Sequence, residues 1–289
     1  MGTDAFFSPC SLHVNGSSSA ADALSVLLSY GVVFLDHAVA VPLIDACRPL
    51  VDKAILQLDA KLAAEGCSAA SRTRFKVRAS KSSMIESPMG DERLSVSASW
   101  LPLIHAALGA NAKELWRGVL DNRPGSHDQE WHRDGNFLEK CADADAMDCL
   151  TVFVPLIEAS MAHGPTEFLP GSHFGAALYE TGIDLAADGE LPVVSAEGLP
   201  RGSAIIFDFR TVHRGRANTT GLADCTNTAC VVPQVQNRPM LYVIYGRALH
   251  DEDHGTGPGT TSYEAVWFIQ PMSLRVLGIA SAPVHRPNL

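Results

Sequence analysis

Helices first and many short strands after them predict a mainly β fold with flanking helices, arranged as a double-stranded β-helix of the jelly-roll, barrel type. Two textures lead there. Up to Leu108 the apolar residues recur three and four apart, as on helices packed by one face. After Gly109 they gather into β-type runs at 115–120, 127–132, 149–157, 204–209 and 240–245, separated by clusters of Gly, Pro, Asn and Asp. No repeat and no linker divides the chain, so its 289 residues are expected to form one domain, 1–289.

In order along the chain, residues 1–20 are rich in Ser, Gly and Ala and are expected to form a loose arm. A short helix is predicted over 22–29, ending before Gly31, with an apolar strand at 32–35. From Pro42 onward Leu43, Ile44, Cys47, Leu50, Val51, Ala54, Ile55, Leu58 and Leu62 keep helical spacing. Pro42 suits the first turn and Gly66 the stop, whereas Pro49 should kink or split this helix. The stretch 67–98 is Ser-rich and basic, and Phe75 and Val77 alternate as in a solvated strand. Residues 100–108 read as a second short amphipathic helix. Loops are expected at 121–126, 181–198 and 219–237, the last long for a compact fold.

A hydrophobic fraction of 46% with 19% charged residues indicates a chain with a sizeable core. The net charge of −10 argues against nucleic acid or an anionic membrane as the main partner. No apolar run approaches the roughly 18 residues that span a bilayer. The N-terminus has no signal-peptide pattern and the C-terminal Pro-Asn-Leu is not a peroxisomal signal, so the cytoplasm is the expected location. The seven cysteines are odd in number and include no Cys-x-x-Cys, which favours reduced thiols over a disulfide framework or zinc ribbon. Cys225 and Cys230 are near enough in sequence for a local pair.

The chemistry centres on QEWHRDG, residues 129–135. His132 and Asp134 are two apart, so on an extended strand both point to one face. An imidazole and a carboxylate on one face are two thirds of a 2-His-1-carboxylate iron site, which leaves three coordination positions open. A second histidine must complete it, and the best placed is His213, which follows the strand-like AIIFDF.

Four motifs extend this pair into an ordered set. They are Gln-x-x-His-x-Asp at 129–134, GPTEFLPGSH at 164–173, DFRTVH at 208–213 and Asn-Arg-Pro-x-Leu-x-x-x-Tyr at 237–245. In this order they resemble the phytanoyl-CoA dioxygenase family of iron(II)- and 2-oxoglutarate-dependent oxygenases, over roughly residues 25–250. The resemblance implies a cupin-like barrel with His132, Asp134 and His213 as iron(II) ligands, and hence as the catalytic set. It implies that Arg238 pairs with the distal carboxylate of 2-oxoglutarate, that Thr166 donates a hydrogen bond to that carboxylate, and that Gln129 lines the cosubstrate side of the metal. The keto-acid end would take two open positions on iron and O2 the third. Halogenases resembling this family carry a small residue where Asp134 stands, so a retained carboxylate favours hydroxylation, desaturation or cyclisation.

In relatives the arginine follows the histidine by about one strand-turn, whereas here 219–237 intervenes and reads as an insertion. Arg216 and Arg247 therefore compete with Arg238, which the spacing to Leu241 and Tyr245 favours. A further basic contact from RFKVR is open between Arg74, Lys76 and Arg78. Other residues have plainer readings. His173 is expected to hydrogen-bond backbone in a turn, and His127 and His163 to sit on loops or the surface. Trp131 and Phe137 either wall a pocket or pack, Tyr245 is expected to pack, and Arg214 and Arg216 are as readily solvated as functional.

The implied function is oxidation of a small organic molecule, a natural-product intermediate in preference to an acyl-CoA, with release of succinate and CO2. The acidic net charge lends no support to a polyphosphate-bearing CoA, although the basic stretch 72–78 offers it a local patch. The competing readings are a metal- or ligand-binding barrel without turnover and an iron triad that works without 2-oxoglutarate. A small-molecule substrate is the expected partner, with no nucleic acid and no membrane, and a homodimer stays open.

Overall fold

The computed structural model describes residues 12–15, 18–69, 72–78, 91–134, 147–174, 192–221 and 236–247. In chain order the elements are β1 (His13–Asn15), α1 (Ala20–Tyr30), β2 (Val32–Asp36), α2 (Val41–Ala64), β3 (Arg74–Arg78), α3 (Leu101–Leu108), β4 (Lys113–Asn122), β5 (Cys149–Pro155), β6 (Thr166–Phe168), β7 (Val194–Ser195), β8 (Ala204–Asp208), β9 (His213–Gly215) and β10 (Arg238–Gly246). Sheet predominates and the helices are few. The strands form a seven-stranded sheet in the order β1-β2-β8-β5-β10-β4-β3 and a three-stranded sheet in the order β7-β6-β9. Among the described residues no pairing closes these sheets into a barrel.

Strand alternation gives the large sheet two apolar faces. Val33, Leu35, Leu150, Val152, Val154, Ile206, Leu241 and Val243 point to one side, where Leu27 of α1, Ile44, Val51 and Ile55 of α2, and Leu103 and Ile104 of α3 cover them. The expected helical layer is therefore present on an outer face. Phe34, Phe153, Phe207, Met240, Tyr242 and Ile244 point to the other side and share a core with Phe168 and Val194 of the small sheet. Phe168 meets Phe207 edge-on at 5.2 Å, a favourable aromatic arrangement that ties the two sheets together. The space between the sheets is where the inward residues of both converge.

Several expectations are met closely. Ser19 caps α1 by accepting from the Asp22 amide. Gly31 ends it in the left-handed region at φ 75°, and a Cβ there would lie 2.4 Å from Thr211 Oγ1. Trp100, which caps α3, is fully buried and donates its indole N–H to Tyr245 Oη at 3.0 Å, so Tyr245 does pack.

Other expectations are corrected. Part of the 1–20 arm is ordered: β1 pairs in parallel with β2, where an open strand edge offers free amides and carbonyls. Leu12 is buried there and His13 pairs with Asp36. Pro49 does not split α2, which runs unbroken from Val41 to Ala64. Pro49 and Asp45, whose carbonyl loses its amide partner, both face solvent, while the buried stripe continues on each side. The run 127–132 is not a strand, and its one ladder contact is the isolated bridge His132↔His213. Residues 181–198 include β7. Phe137, Cys225, Cys230 and most of 219–237 lie outside the described residues.

Candidate metal centre

β9 follows β8 after a turn in which Asp208 accepts the Arg210 amide (2.8 Å) and pairs with its guanidinium (2.7 Å). In the small sheet His213 lies opposite Phe168 and Gly215 opposite Thr166. His213 therefore points inward with Phe168, its ring stacked on Phe168 at 5.9 Å. The arm 127–134 crosses β9 from the other side. His132 and His213 exchange both backbone hydrogen bonds, at 3.0 and 2.9 Å, which brings their rings side by side, centroids 4.5 Å apart and planes tilted by 50°. Two residues on, the Asp134 amide donates to the Phe209 carbonyl at 3.1 Å and brings the carboxylate alongside.

His132, Asp134 and His213 each offer one ligand atom, and these atoms all lie within 4.8 Å of one another. The His213 Nε2 to Asp134 Oδ1 distance is 3.9 Å. The outer nitrogens are already committed: Nδ1–H of His132 donates to the Glu130 carbonyl at 2.8 Å, and Nδ1–H of His213 to the Thr211 carbonyl at 3.0 Å. With Nδ1 committed to a carbonyl in each ring, Nε2 is the nitrogen a metal would take. Thr151 of β5 donates its hydroxyl to the second Asp134 oxygen at 3.4 Å. Two imidazoles and one oriented carboxylate fit an iron(II) ion.

The arm lacks a regular ladder, and side chains take its place. Gln129 Oε1 accepts the Gly215 amide at 2.9 Å, Asp128 Oδ1 accepts the Ala217 amide at 2.6 Å, and the Gln129 amide donates to the Gly215 carbonyl. Arg74 of β3 adds its guanidinium to this seam, donating to the carbonyls of His127 (2.7 Å), Gly215 (3.1 Å) and Arg216 (2.8 Å) and reaching Gln129 Oε1 at 3.4 Å. The side chains of Lys76 and Arg78 in RFKVR lie outside the described residues.

Arg238 opens β10 in register with Asn122 of β4, which in turn is in register with Arg74 of β3. It lies on the same face of β10 as Met240 and Tyr242, toward the inter-sheet space. Its guanidinium is buried, its Nε has no hydrogen-bond partner, and no ion pair involves it among the described residues. Burial first, and then the charge of Arg74, pull its pKa down to about 10 against the opposing charge of Asp121. The competitors are engaged elsewhere: Arg216 bridges Glu167 and Asp128, and Arg247 pairs with Asp148. Thr166 is buried on β6, on the same face as Phe168, so it too points between the sheets. A buried cation without an anion is costly, and a carboxylate ligand would relieve it. Arg238 thus suits the distal carboxylate of 2-oxoglutarate. Gln129 is partly buried three residues before His132, with its oxygen committed to β9.

The remaining histidines follow their plain readings. His173 is buried and its Nε2–H donates to the Leu28 carbonyl at 3.0 Å, while burial lowers its pKa. His163 sits in a short 3₁₀ turn capped by Ser160, and His127 is exposed. Trp131 turns away from His132 and carries the Arg214 guanidinium over its ring at 4.3 Å, with Arg214 also paired to Glu167. Thr151 has a role that sequence patterning does not single out, and its signal is slight: a lone hydroxyl in the otherwise apolar strand CLTVFVP.

Residues 42–222 match the phytanoyl-CoA dioxygenase (PhyH) family. The chain belongs to that family. The phytanoyl-CoA dioxygenase match spans three of the four ordered motifs and all three metal-binding candidates. Dioxygenase hkm4 of Aspergillus hancockii is 28% identical over 104 residues, which is 35% of this chain and 32% of that relative. The chain thus matches about a third of that relative's length. Among solved structures, the non-heme alpha ketoglutarate dependent carbocyclase SnoK from nogalamycin biosynthesis is similar at a TM-score of 0.59 and 17% identity, over 81% of this chain and 87% of that one. The epimerase SnoN from the same biosynthesis is similar at 0.54 and 20% identity, over 82% and 90%. SnoN is also known in complex with Fe3+, alpha ketoglutarate and nogalamycin RO. These are likenesses of fold. No helix among the described residues is long and apolar enough to cross a membrane.

Proposed function

We propose that this chain is a non-haem iron(II)- and 2-oxoglutarate-dependent dioxygenase that oxidises a small organic molecule, a natural-product intermediate, and releases succinate and CO2. One observation carries the reading: the clustered His132, Asp134 and His213 side chains share the inter-sheet space with a buried Arg238 that forms no ion pair among the described residues. A protein that merely stores metal has no need of that second feature. The fold that goes with it is a double-stranded β-helix of jelly-roll type, forming one domain.

In this reading His132, Asp134 and His213 hold iron(II), Arg238 and Thr166 hold the distal carboxylate, and Gln129 lines the cosubstrate side. Iron with 2-oxoglutarate supplies dioxygen activation coupled to decarboxylation of the cosubstrate. The chain supplies the rest. Backbone carbonyls fix both imidazoles, Thr151 orients the Asp134 carboxylate, and the aromatic inter-sheet core around Phe153, Phe168 and Phe207 keeps bulk water from the reacting face. Because Asp134 retains its carboxylate, hydroxylation, desaturation or cyclisation is favoured over halogenation. Natural-product neighbours in fold and the net charge of −10 both favour a small, mainly apolar substrate over an acyl-CoA. We place the enzyme in the cytoplasm.

The test is anaerobic addition of iron(II) and then 2-oxoglutarate to the purified protein, followed by oxygen and a panel of candidate substrates. The expected result is a weak visible charge-transfer band, then oxygen-dependent succinate, with mass analysis reporting added oxygen or lost hydrogen. Metal binding without band or succinate would reduce the protein to a binding barrel. Oxygen uptake that ignores 2-oxoglutarate would favour an iron triad working without it.

A further inference from the structure

Arg74 is the least expected member of the site. Its strand sits at the edge of the large sheet, two strands from Arg238, yet its guanidinium reaches across to the metal-binding arm. A guanidinium is suited to such a seam because its planar fork offers five donors in fixed directions, whereas an ammonium offers three on a compact centre. Here one terminal nitrogen faces three backbone carbonyls, His127 on the arm and Gly215 and Arg216 at the end of β9, and the other faces the Gln129 oxygen. That same oxygen receives the Gly215 amide. Gly215 makes the convergence feasible: a Cβ there would lie 2.6 Å from Arg74 Nη1 and 2.6 Å from Gln129 Oε1.

We propose that Arg74 is a positioning residue for the metal centre, fixing the arm 127–134 against β9 so that His132 and His213 face each other. It acts as a hydrogen-bonding fork and not as a cation for the cosubstrate. The geometry supports this division of labour. The arm and β9 share a single ladder bridge, at the metal-binding histidines themselves. Their alignment therefore depends on the Arg74–Gln129–Gly215 seam, which begins two residues from His213 and three from His132. The terminal nitrogens of Arg74 are spent on carbonyl and amide oxygens, whereas Arg238 forms no ion pair among the described residues.

The inference rests on the metal-centre reading, so its test uses the apo-protein with cobalt(II), read by titration calorimetry and by the visible d–d spectrum. Arg74→Lys keeps the charge and removes the fork; Arg74→Met removes both; Gly215→Ala crowds the seam from the β9 side with Arg74 intact. In all three, cobalt(II) affinity should fall about tenfold or more with an altered d–d spectrum, while 2-oxoglutarate affinity at saturating metal changes less than about threefold. Arg74→Lys with normal cobalt(II) binding overturns the fork. Weakened 2-oxoglutarate binding with unchanged cobalt(II) affinity in Arg74→Met makes Arg74 a cosubstrate cation and overturns the proposal. Lower thermal stability with an unchanged cobalt(II) spectrum in all three makes it a fold residue only and also overturns it. Should neither Arg74 variant fold, Gly215→Ala decides alone. If the wild-type protein takes no cobalt(II), the metal centre itself fails, a result distinct from all of these.

Discussion

Replacing Arg238 by methionine should move stability and cosubstrate binding in opposite directions. Arg238 is 8% exposed, its Nε is unpartnered, and burial with the nearby Arg74 charge takes its pKa from 12.5 to about 10. At about 1.36 kcal/mol per pKa unit that drop weighs roughly 3 kcal/mol against the charged form, an upper figure because the site relaxes. The sign follows from Arg238 being a base whose folded pKa lies below its unfolded one. Below pH 10 the penalty is fully present, and it fades only as pH climbs past 10. Arg238→Met should therefore stabilise the ligand-free protein by about 1 kcal/mol or more, a Tm rise of about 2–4 °C. In the metal-loaded protein the same change removes a charge-assisted pair with 2-oxoglutarate. That loss is about 3 kcal/mol, or roughly 150-fold in Kd. Differential scanning fluorimetry of the apo-protein and calorimetry with 2-oxoglutarate on the cobalt(II) form read the two effects. A variant that melts lower than wild type and binds 2-oxoglutarate equally well would refute the reasoning, because both halves derive from one unpaired buried charge.

Three more expectations are independent of Arg238. His132→Ala should weaken metal binding by more than about 100-fold while Tm moves by less than about 3 °C, because a partly buried side chain on the arm carries little of the core; tight metal retention in calorimetry would remove His132 from the site. Thr151→Val keeps the volume but deprives Asp134 Oδ2 of its 3.4 Å donor, so metal affinity should fall about tenfold at unchanged circular dichroism, and equal affinity sinks the role given to Thr151. Tyr245→Phe leaves the buried Trp100 indole N–H without its acceptor and should cost about 1–2 kcal/mol with no change in 2-oxoglutarate affinity. Burial holds the Tyr245 phenol up to about 12, so wild-type stability should decline as pH rises through 10 toward 12 as the unfolded chain ionises first, and the variant should lose that part of the slope in alkaline denaturation.

The legible parts of the fold are those where one physical signal dominates. Helical spacing from Leu43 to Leu62 located α2 because a single apolar stripe meets a sheet, and Gly31 marked the end of α1 because the chain there needs a left-handed residue. The strands β6, β7 and β9 escaped notice because three residues or fewer carry too little alternation to read. Pairing was invisible for a different reason: β1 joins β2, and β10 lies between β4 and β5, through contacts distant in sequence. Pro49 misled because its cost depends on which way the freed carbonyl faces, and that is set by packing. In the site, residue types with a fixed chemistry were legible: imidazole, carboxylate, guanidinium. Thr151 is not legible as a site residue and Arg74 only as one of three candidates in RFKVR, since a hydroxyl or a guanidinium that acts through a neighbour leaves no spacing rule behind.

In the candidate metal motif, two side chains that strand alternation predicts on one face are brought together by other means. His132 and Asp134 were placed on one face by strand alternation, yet the arm that carries them is not a strand. What aligns them is a single bridge at His132, a backbone bond from Asp134 to Phe209 two residues later, and side-chain substitutes for the missing ladder at Asp128 and Gln129. A regular strand would commit every amide to its neighbour and fix the face with little help from side chains. An arm bridged at one point stays aligned because Asp128, Gln129 and Arg74 supply the missing bonds, so the precision of the centre is distributed over residues that never touch the metal. That is why a change at Arg74 or Gly215 is expected to register in the spectrum of a bound ion, although each stands outside the triad.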